Sequence, residues 1–433
     1  MTQSAAAPPP PAAQQAPAPA DAQKSQRFWP APTGKPVRAG IQDTPSLLNR
    51  LQIIGMAAVL LFGLASGLVQ FLSYQSDGRA ADDTEQLVRV QDIQSSLLSA
   101  DALATNVFLV GGGGDPDREA AFRAAIEDVL KQIAAAADAQ PADKNALEAL
   151  VVEINDYTTS VAAAQVYNRQ QFPVGAEYLS GASASLRLDA LPILNNLVDA
   201  NTDRAQDSLA GQHPFYLLLI GLLALGVLVW MSMVLARRFR RYVNVGVAVA
   251  AAIVLVTTLV ASIAAWRGDN QNDDLHDHEL QAAVDQAAAR TAGNDAKALE
   301  SLRLIKRGSG STVEPQWEAD AKVVEDNATG SALDSWNAYA DGHRQIVAYD
   351  DKDLWFKARG IAIDRADNKP TAFFDAFDAT TQKLAEKNGK TTSDELRAGR
   401  TVALLGSLLT LLLGLVSSVA VARGISARRK EYA

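Results

Sequence analysis

The sequence predicts an all-α membrane protein: four transmembrane helices carrying two tandem extracytoplasmic up-down four-helix bundles, a duplicated unit. Three observations predict it. Four uncharged apolar stretches, Leu51 to Ser73, Pro214 to Ala236, Val243 to Trp266 and Thr401 to Ala422, are each long enough to cross a bilayer, since about 20 helical residues span a hydrocarbon core of roughly 30 Å. The polar segments between them carry apolar residues at alternating three- and four-residue spacing, the period of a helix packed lengthwise against others. Basic residues cluster in the pieces outside the spans, at Arg237, Arg238, Arg240 and Arg241 and again at Arg428, Arg429 and Lys430. Positive charge retained inside then places both termini in the cytoplasm of a multi-pass plasma-membrane protein.

Residues 1–50, rich in Ala, Pro and Gln, form a tail that cannot bury a core. The first span, 51–73, is an anchor and not a signal peptide, because no small-residue cleavage site accompanies it. Segment 74–213 forms the first bundle. Val90, Ile93, Leu97, Ala100, Ala104 and Val107 make the inner face of its first helix, which continues the span outward. Gly111 to Gly114 break that helix, Pro116 opens a second, Gln140-Pro141 separates a third, and a fourth follows Phe172-Pro173. The second span is 214–236, preceded by a break at Gly211-Gln212-His213 that would act as a hinge. A cytoplasmic turn, 237–242, and the third span, 243–266, follow.

Segment 267–400 repeats the plan. Its first helix carries Leu280, Val284, Ala287, Thr291, Ala298, Leu302 and Ile305, with Asn294-Asp295 interrupting the stripe; a second helix starts after Thr312, a third runs from about Ser331 to Asp350, and Pro370 lies early in or within the last. The fourth span, 401–422, and a basic tail, 423–433, complete the chain. The first and third spans begin 192 residues apart, a period that indicates duplication and not a solenoid.

The inner pieces hold thirteen Lys or Arg against three Asp or Glu, a net +10, which leaves −19 in the rest of the chain. The basic groups are short and juxtamembrane, suited to anionic lipid headgroups, and nucleic acid is excluded as a partner. With no cysteine and only four histidines, and no nucleophile motif, the chain is not read as an enzyme, and no cofactor or metal is expected. The run Asp269, Asp273, Asp274, His276, Asp277, His278 and Glu279 is read as a solvated acidic helix start. The membrane-distal turn of the first bundle should expose Asp115, Arg118 and Arg123; the matching tip of the second should gather Arg307, Trp317, Trp355 and Phe356, residue types that anchor interfaces. An amino-acid ligand would need a cation for its carboxylate and an acid for its ammonium, and Arg169, Arg187 or Arg365 could supply the first. Gly63-x-x-x-Gly67 and Gly414 with Ser418 allow close helix contact, within one chain or in a homo-oligomer.

Such membrane-flanked bundles resemble the sensor domains of chemoreceptors and sensor kinases. The stretches Ala100 to Gly112, Leu304-Ile305-Lys306-Arg307-Gly308-Ser309-Gly310 and Gly424 to Tyr432 more closely resemble actinobacterial membrane sensors of the GlnX type, which are encoded beside a glutamine/aspartate-binding lipoprotein and a soluble Ser/Thr kinase. That resemblance implies a receptor that meets an amino-acid-loaded binding lipoprotein outside and signals to the kinase inside. Only eleven residues follow Ala422, so output is expected to pass through a cytoplasmic partner. The alternative is a membrane scaffold that tethers a protein and senses nothing. A transporter component ranks lower, since the spans hold no Asp, Glu, Lys, Arg or His.

Overall fold

The computed structural model of the chain describes residues 44–110, 115–170, 173–209, 214–239 and 244–430. Among them every element is helical. α1 (Thr44–Val110) is a single helix of 67 residues, roughly 100 Å long at the usual rise. It is unbroken because it contains no proline beyond its first turn and its glycines face other helices, so backbone groups lost to water are few. α2 (Pro116–Ala139) starts with Pro116 in its first turn and Asp115 as its cap, whose side chain accepts from the Asp117 and Arg118 amides. α3 (Lys144–Arg169) follows a 3-10 turn, and α4 (Val174–Ser185) runs through a π-helical segment, Leu186–Ala190, into α5 (Leu191–Leu209).

α6 (Pro214–Phe239) leads to α7 (Val245–Asp274), which the Asn244 side chain caps. A second π segment, Leu275–Leu280, joins α7 to α8 (Gln281–Ile305) without a break. Then come α9 (Glu314–Asn327), α10 (Gly330–Asp350), the short α11 (Trp355–Ile363) and α12 (Pro370–Lys430), 61 residues long. Pro370 opens α12, where its missing amide costs nothing.

Four helices, α1, α6, α7 and α12, hold stretches long and apolar enough to cross a membrane. α1 packs on α12 and α6, α12 on α7, and α7 on α6. In lipid there is no hydrophobic force between apolar helices, so close approach and hydrogen bonds hold them. A methyl group on Gly63 would stand 3.1 Å from the Gly414 Cα. Beside this contact Ser407 donates to the Gly67 carbonyl at 2.8 Å, and Gln70 Nε2 donates to Thr410 Oγ1 at 2.9 Å.

Beyond the spans the chain builds two helical units at the same end. The first has α2, α3, α4 and α5 around the distal half of α1, with a core that includes Ile93, Leu97, Leu147, Leu150, Ile154, Leu179 and Leu194. The second has α8 to α12 around Trp317, Trp336, Tyr339, Phe374 and Phe377. It contains α11, a helix with no counterpart in the first unit, and its π segment lies in its first helix, whereas that of the first unit lies in its last. Near the spans the two units share one cluster, with Leu87, Leu209, Leu275, Leu280 and Leu396 in contact.

The expected interruption at Asn294-Asp295 is not a break. α8 runs straight through, and nearly every residue from Ala289 to Leu304 is buried, because α8 is enclosed by its own unit on one side and by α1 on the other. Of the polar residues in that stripe, Arg290 and Asp295 reach the neighbouring unit, whereas Asn294, Lys297, Glu300 and Arg303 bond within their own. The hinge expected at Gly211-Gln212-His213 and the glycine turn Gly111 to Gly114 lie outside the described residues.

Candidate functional site

The two units meet along α1 and α8, and the contact is polar from the spans to the apex. Nearest the spans, Arg400 lies over the Tyr74 ring at 4.3 Å, and Arg397 Nη1 bonds Glu85 at 2.6 Å. One level outward, Arg290 of α8 reaches Asp92 of α1 at 2.5 Å and Asp378 of α12 at 2.9 Å. The Ser95 and Thr291 hydroxyls bond each other at 2.7 Å. Next comes the most enclosed group. Asp101 of α1, fully buried, accepts from Tyr157 Oη at 3.0 Å, from Ser183 Oγ at 2.6 Å and from Arg187 Nη1 at 3.2 Å. Arg187 sits in the π segment and also pairs with Asp295 of α8. A π segment inserts an extra residue into the turn, and here it accompanies the one cation that bridges the two units at this level. Burial pushes the Tyr157 hydroxyl well above its ordinary pKa, and the Asp101 carboxylate adds to the effect.

At the apex α11 lies across the end of α1. Arg359 Nε donates to the Leu109 carbonyl at 2.7 Å and its Nη2 to the Val110 carbonyl. Helix-end carbonyls have no intrahelical partner, so a residue of the second unit caps the longest helix of the first. Arg118 makes the reciprocal tie, bonding Asn106 of α1 and the Ile363 carbonyl of α11. Arg118 is thus buried, correcting its expected exposure: the turn that opens α2 folds under α11. Arg123 is exposed and lines a groove of about 360 Å³ between α2 and α3 with Glu119, Phe122, Ile126, Thr158, Ala162 and Gln165. Arg169, one of the cations considered for a carboxylate ligand, pairs with Glu119 at 2.7 Å; Arg187 is held inside the junction, and Arg365 is exposed.

Of the four residues expected at the second tip, three gather there. Arg307 stacks on the Trp355 ring at 3.8 Å, Trp355 bonds the Leu304 carbonyl at 2.7 Å, and Phe356 meets Trp355 edge-on and is 79% exposed. Arg307, at φ 21, and Asp353, at φ 57, are the non-glycine residues of positive φ among those described. Both flank Trp355, so backbone strain concentrates at this tip. Trp317 does not join them. It is 6% exposed, stacked on His343 at 3.7 Å and Trp336 at 6.0 Å, because the periodicity of α9 turns it inward.

Beneath Trp317 the second unit holds its own ionic group. His343 lies between Glu300 at 3.0 Å and Glu314 at 3.3 Å, and Lys297 bonds Glu300 at 2.7 Å. Burial would lower the His343 pKa, but the two carboxylates raise it overall. Burial would raise Glu300, yet Lys297 and His343 hold it down at about 2. Among the described residues no group of three His, Cys, Asp or Glu is placed to hold a metal ion. Arg237 and Arg238 close α6, and α12 ends at Lys430 after Arg428 and Arg429; Arg240 and Arg241 lie outside the described residues.

Sequence reasoning missed the junction, although Asp101 and Asp295 each place a carboxylate in an otherwise apolar stripe, the available signal of a buried polar contact. Neither the curated proteins nor the solved structures compared with the chain give a match. Residues 76–210 match the family model described as an actinobacterial sensor domain, and this stretch runs from the membrane-proximal part of α1 to the end of α5, so the similarity covers the first helical unit.

Proposed function

We propose that this chain is a transmembrane signalling receptor with both termini in the cytoplasm, whose helical units detect an extracellular solute or its binding protein. The observation that carries the reading is mechanical. α1 is one unbroken helix from the sensor-matching unit through the membrane, and it packs against α12, which comes unbroken from the second unit. A displacement of either unit therefore reaches the spans directly, and packed helices shift by about 1–2 Å between discrete arrangements.

The solute class favoured is an amino acid. The groove that holds Arg123 and Glu119 offers a cation and an acid over the apolar floor of Phe122, Ile126 and Ala162, the pairing a zwitterion requires. A solute-binding lipoprotein would dock instead at the Arg307, Trp355 and Phe356 tip. The cytoplasmic reader is a soluble Ser/Thr kinase, for which the basic residues at the span ends are the contact. Capture of the intact, detergent-solubilised protein from its host, followed by mass spectrometry, tests this reading. A binding lipoprotein together with a kinase is expected; recovery of envelope proteins alone would make the chain a scaffold.

A further inference from the structure

The carboxyls of Asp295 on α8 and Asp320 on α9 lie side by side within the second unit, near Arg187 of the first. Asp320 is 8% exposed. Its Oδ1 accepts from Gln316 Nε2 at 3.0 Å, whereas its Oδ2 is enclosed with no donor directed at it. The charged groups around the pair are Arg187, from the π segment of the first unit, and Asp101, from α1. Arg187 bonds both Asp101 and Asp295, so one cation stands against three carboxyl groups.

Two carboxylates side by side in a buried site cannot both ionise without strong repulsion. A carboxylate oxygen only accepts, so an enclosed one with no donor is a costly arrangement. One proton held between Asp320 and Asp295 removes both difficulties, because it lowers the charge of the pair and lets Oδ2 donate. Burial first, and the Asp295 carboxylate second, push Asp320 up to about 8.

We propose that Asp295 and Asp320 form a proton-binding site on the side of the second unit that meets Arg187 of the first: the bound proton keeps α9 closed on α8 beside Arg187, and its loss loosens α9 there. A receptor built this way reports the pH at the face where the two units lie, in addition to any solute. The site does not rest on which solute or partner the receptor meets.

The chain has no cysteine, so spin labels at Ala184→Cys and Lys322→Cys, both exposed and one in each unit, report the junction in the full chain in nanodiscs. The expected result is a distance distribution that broadens between about pH 6 and about pH 9.5, on either side of ordinary carboxyl-pair titration in burial, and that stays at its low-pH form in D320N. No broadening in the native chain, or equal broadening in D320N, overturns the proposal. Infrared difference spectra of the native chain over the same interval give a second reading that needs no folded variant. A protonated-carboxyl band that bleaches is expected, and its absence overturns the proposal.

Discussion

Arg359 Nε donates to the carbonyl of Leu109 at 2.7 Å, which joins the apex of the second helical unit to the last turn of α1. The same guanidinium reaches the Val110 carbonyl, so two helix-end acceptors are satisfied by one side chain. About 55 Å of continuous helix separates this cap from the first span, taking 37 residues at the usual rise. The Arg307, Trp355 and Phe356 tip is built on α11, the helix that carries Arg359, so pressure on the tip bears on α1.

Arg359→Ala should therefore loosen the distal end of α1 while the spans stay packed. Bonds to a charged donor are worth about 1.5–3 kcal/mol, and Arg359 is partly buried at this contact. Hydrogen exchange at residues 104–110 should speed up by one to two orders of magnitude, on the order of that energy. Unchanged protection there would show that the cap does not hold α1.

Asp101→Ala should be far more damaging, since it takes from Arg187 one of its two carboxylates and removes the acceptor of Tyr157 and Ser183. Breaking a buried pair by removing one partner costs about 3–5 kcal/mol. Denaturant unfolding of the solubilised chain measures it, and Asp101→Asn, which keeps the shape, should cost less.

Gly63→Val or Gly414→Val should separate α1 from α12 within the membrane, as a methyl at Gly63 already stands 3.1 Å from backbone. Overpacking costs about 1–3 kcal/mol. A pair of engineered cysteines across the α1–α12 contact should cross-link less efficiently in either variant.

The His343 group predicts a pH dependence of opposite sign at its two ends. His343 binds its proton more tightly in the fold than in the unfolded chain, so its contribution is complete below about pH 6.5 and is lost as the pH rises through the higher folded value. Glu300 is held at about 2, so its contribution is present above about pH 4.5 and is lost as the pH falls toward 2. Thermal midpoints against pH for the native chain and His343→Gln check this. The variant should lose the decline above about pH 6.5, and a decline of the same size in both would assign it elsewhere.

Gly399→Pro interrupts α12 between the second unit and its span, at a position with room for a side chain, since the nearest atom to a Cβ there is 3.8 Å away. Proline inside a helix costs about 3 kcal/mol or more. For the proposed receptor, signalling output measured through the proposed kinase should fall, while co-purification of the proposed outer partner persists; full output would exclude α12 as the transmitting helix.

Much of the architecture is legible in the residues. The four apolar stretches follow from uncharged length, the start of α2 from Pro116, and close helix contact at Gly63, Gly67 and Gly414 from the absence of a side chain, whereas that Pro370 opens α12 and that α1 meets α12 were not read from the residues. These are local properties: hydrophobicity, capping and the absence of a side chain act within a few residues of where they occur. The site is less legible. Arg118 and Trp317 carry the same residue types as the exposed Arg123 and the tip residue Trp355, and periodicity alone did not show that one would fold beneath α11 and the other turn into an aromatic core.

By itself the sequence determined that this chain is helical, holds four stretches long and apolar enough to cross a membrane, and carries two polar segments between them. Only the tertiary structure decided that the segments lie against each other, and that Asp92, Asp101, Asn294 and Asp295 are bonded across or beside that contact. A charge in an apolar stripe is prohibitive or favourable according to whether a partner meets it. For Arg187 and Asp295 that partner is 108 residues away, and no short-range rule of sequence spans such a separation.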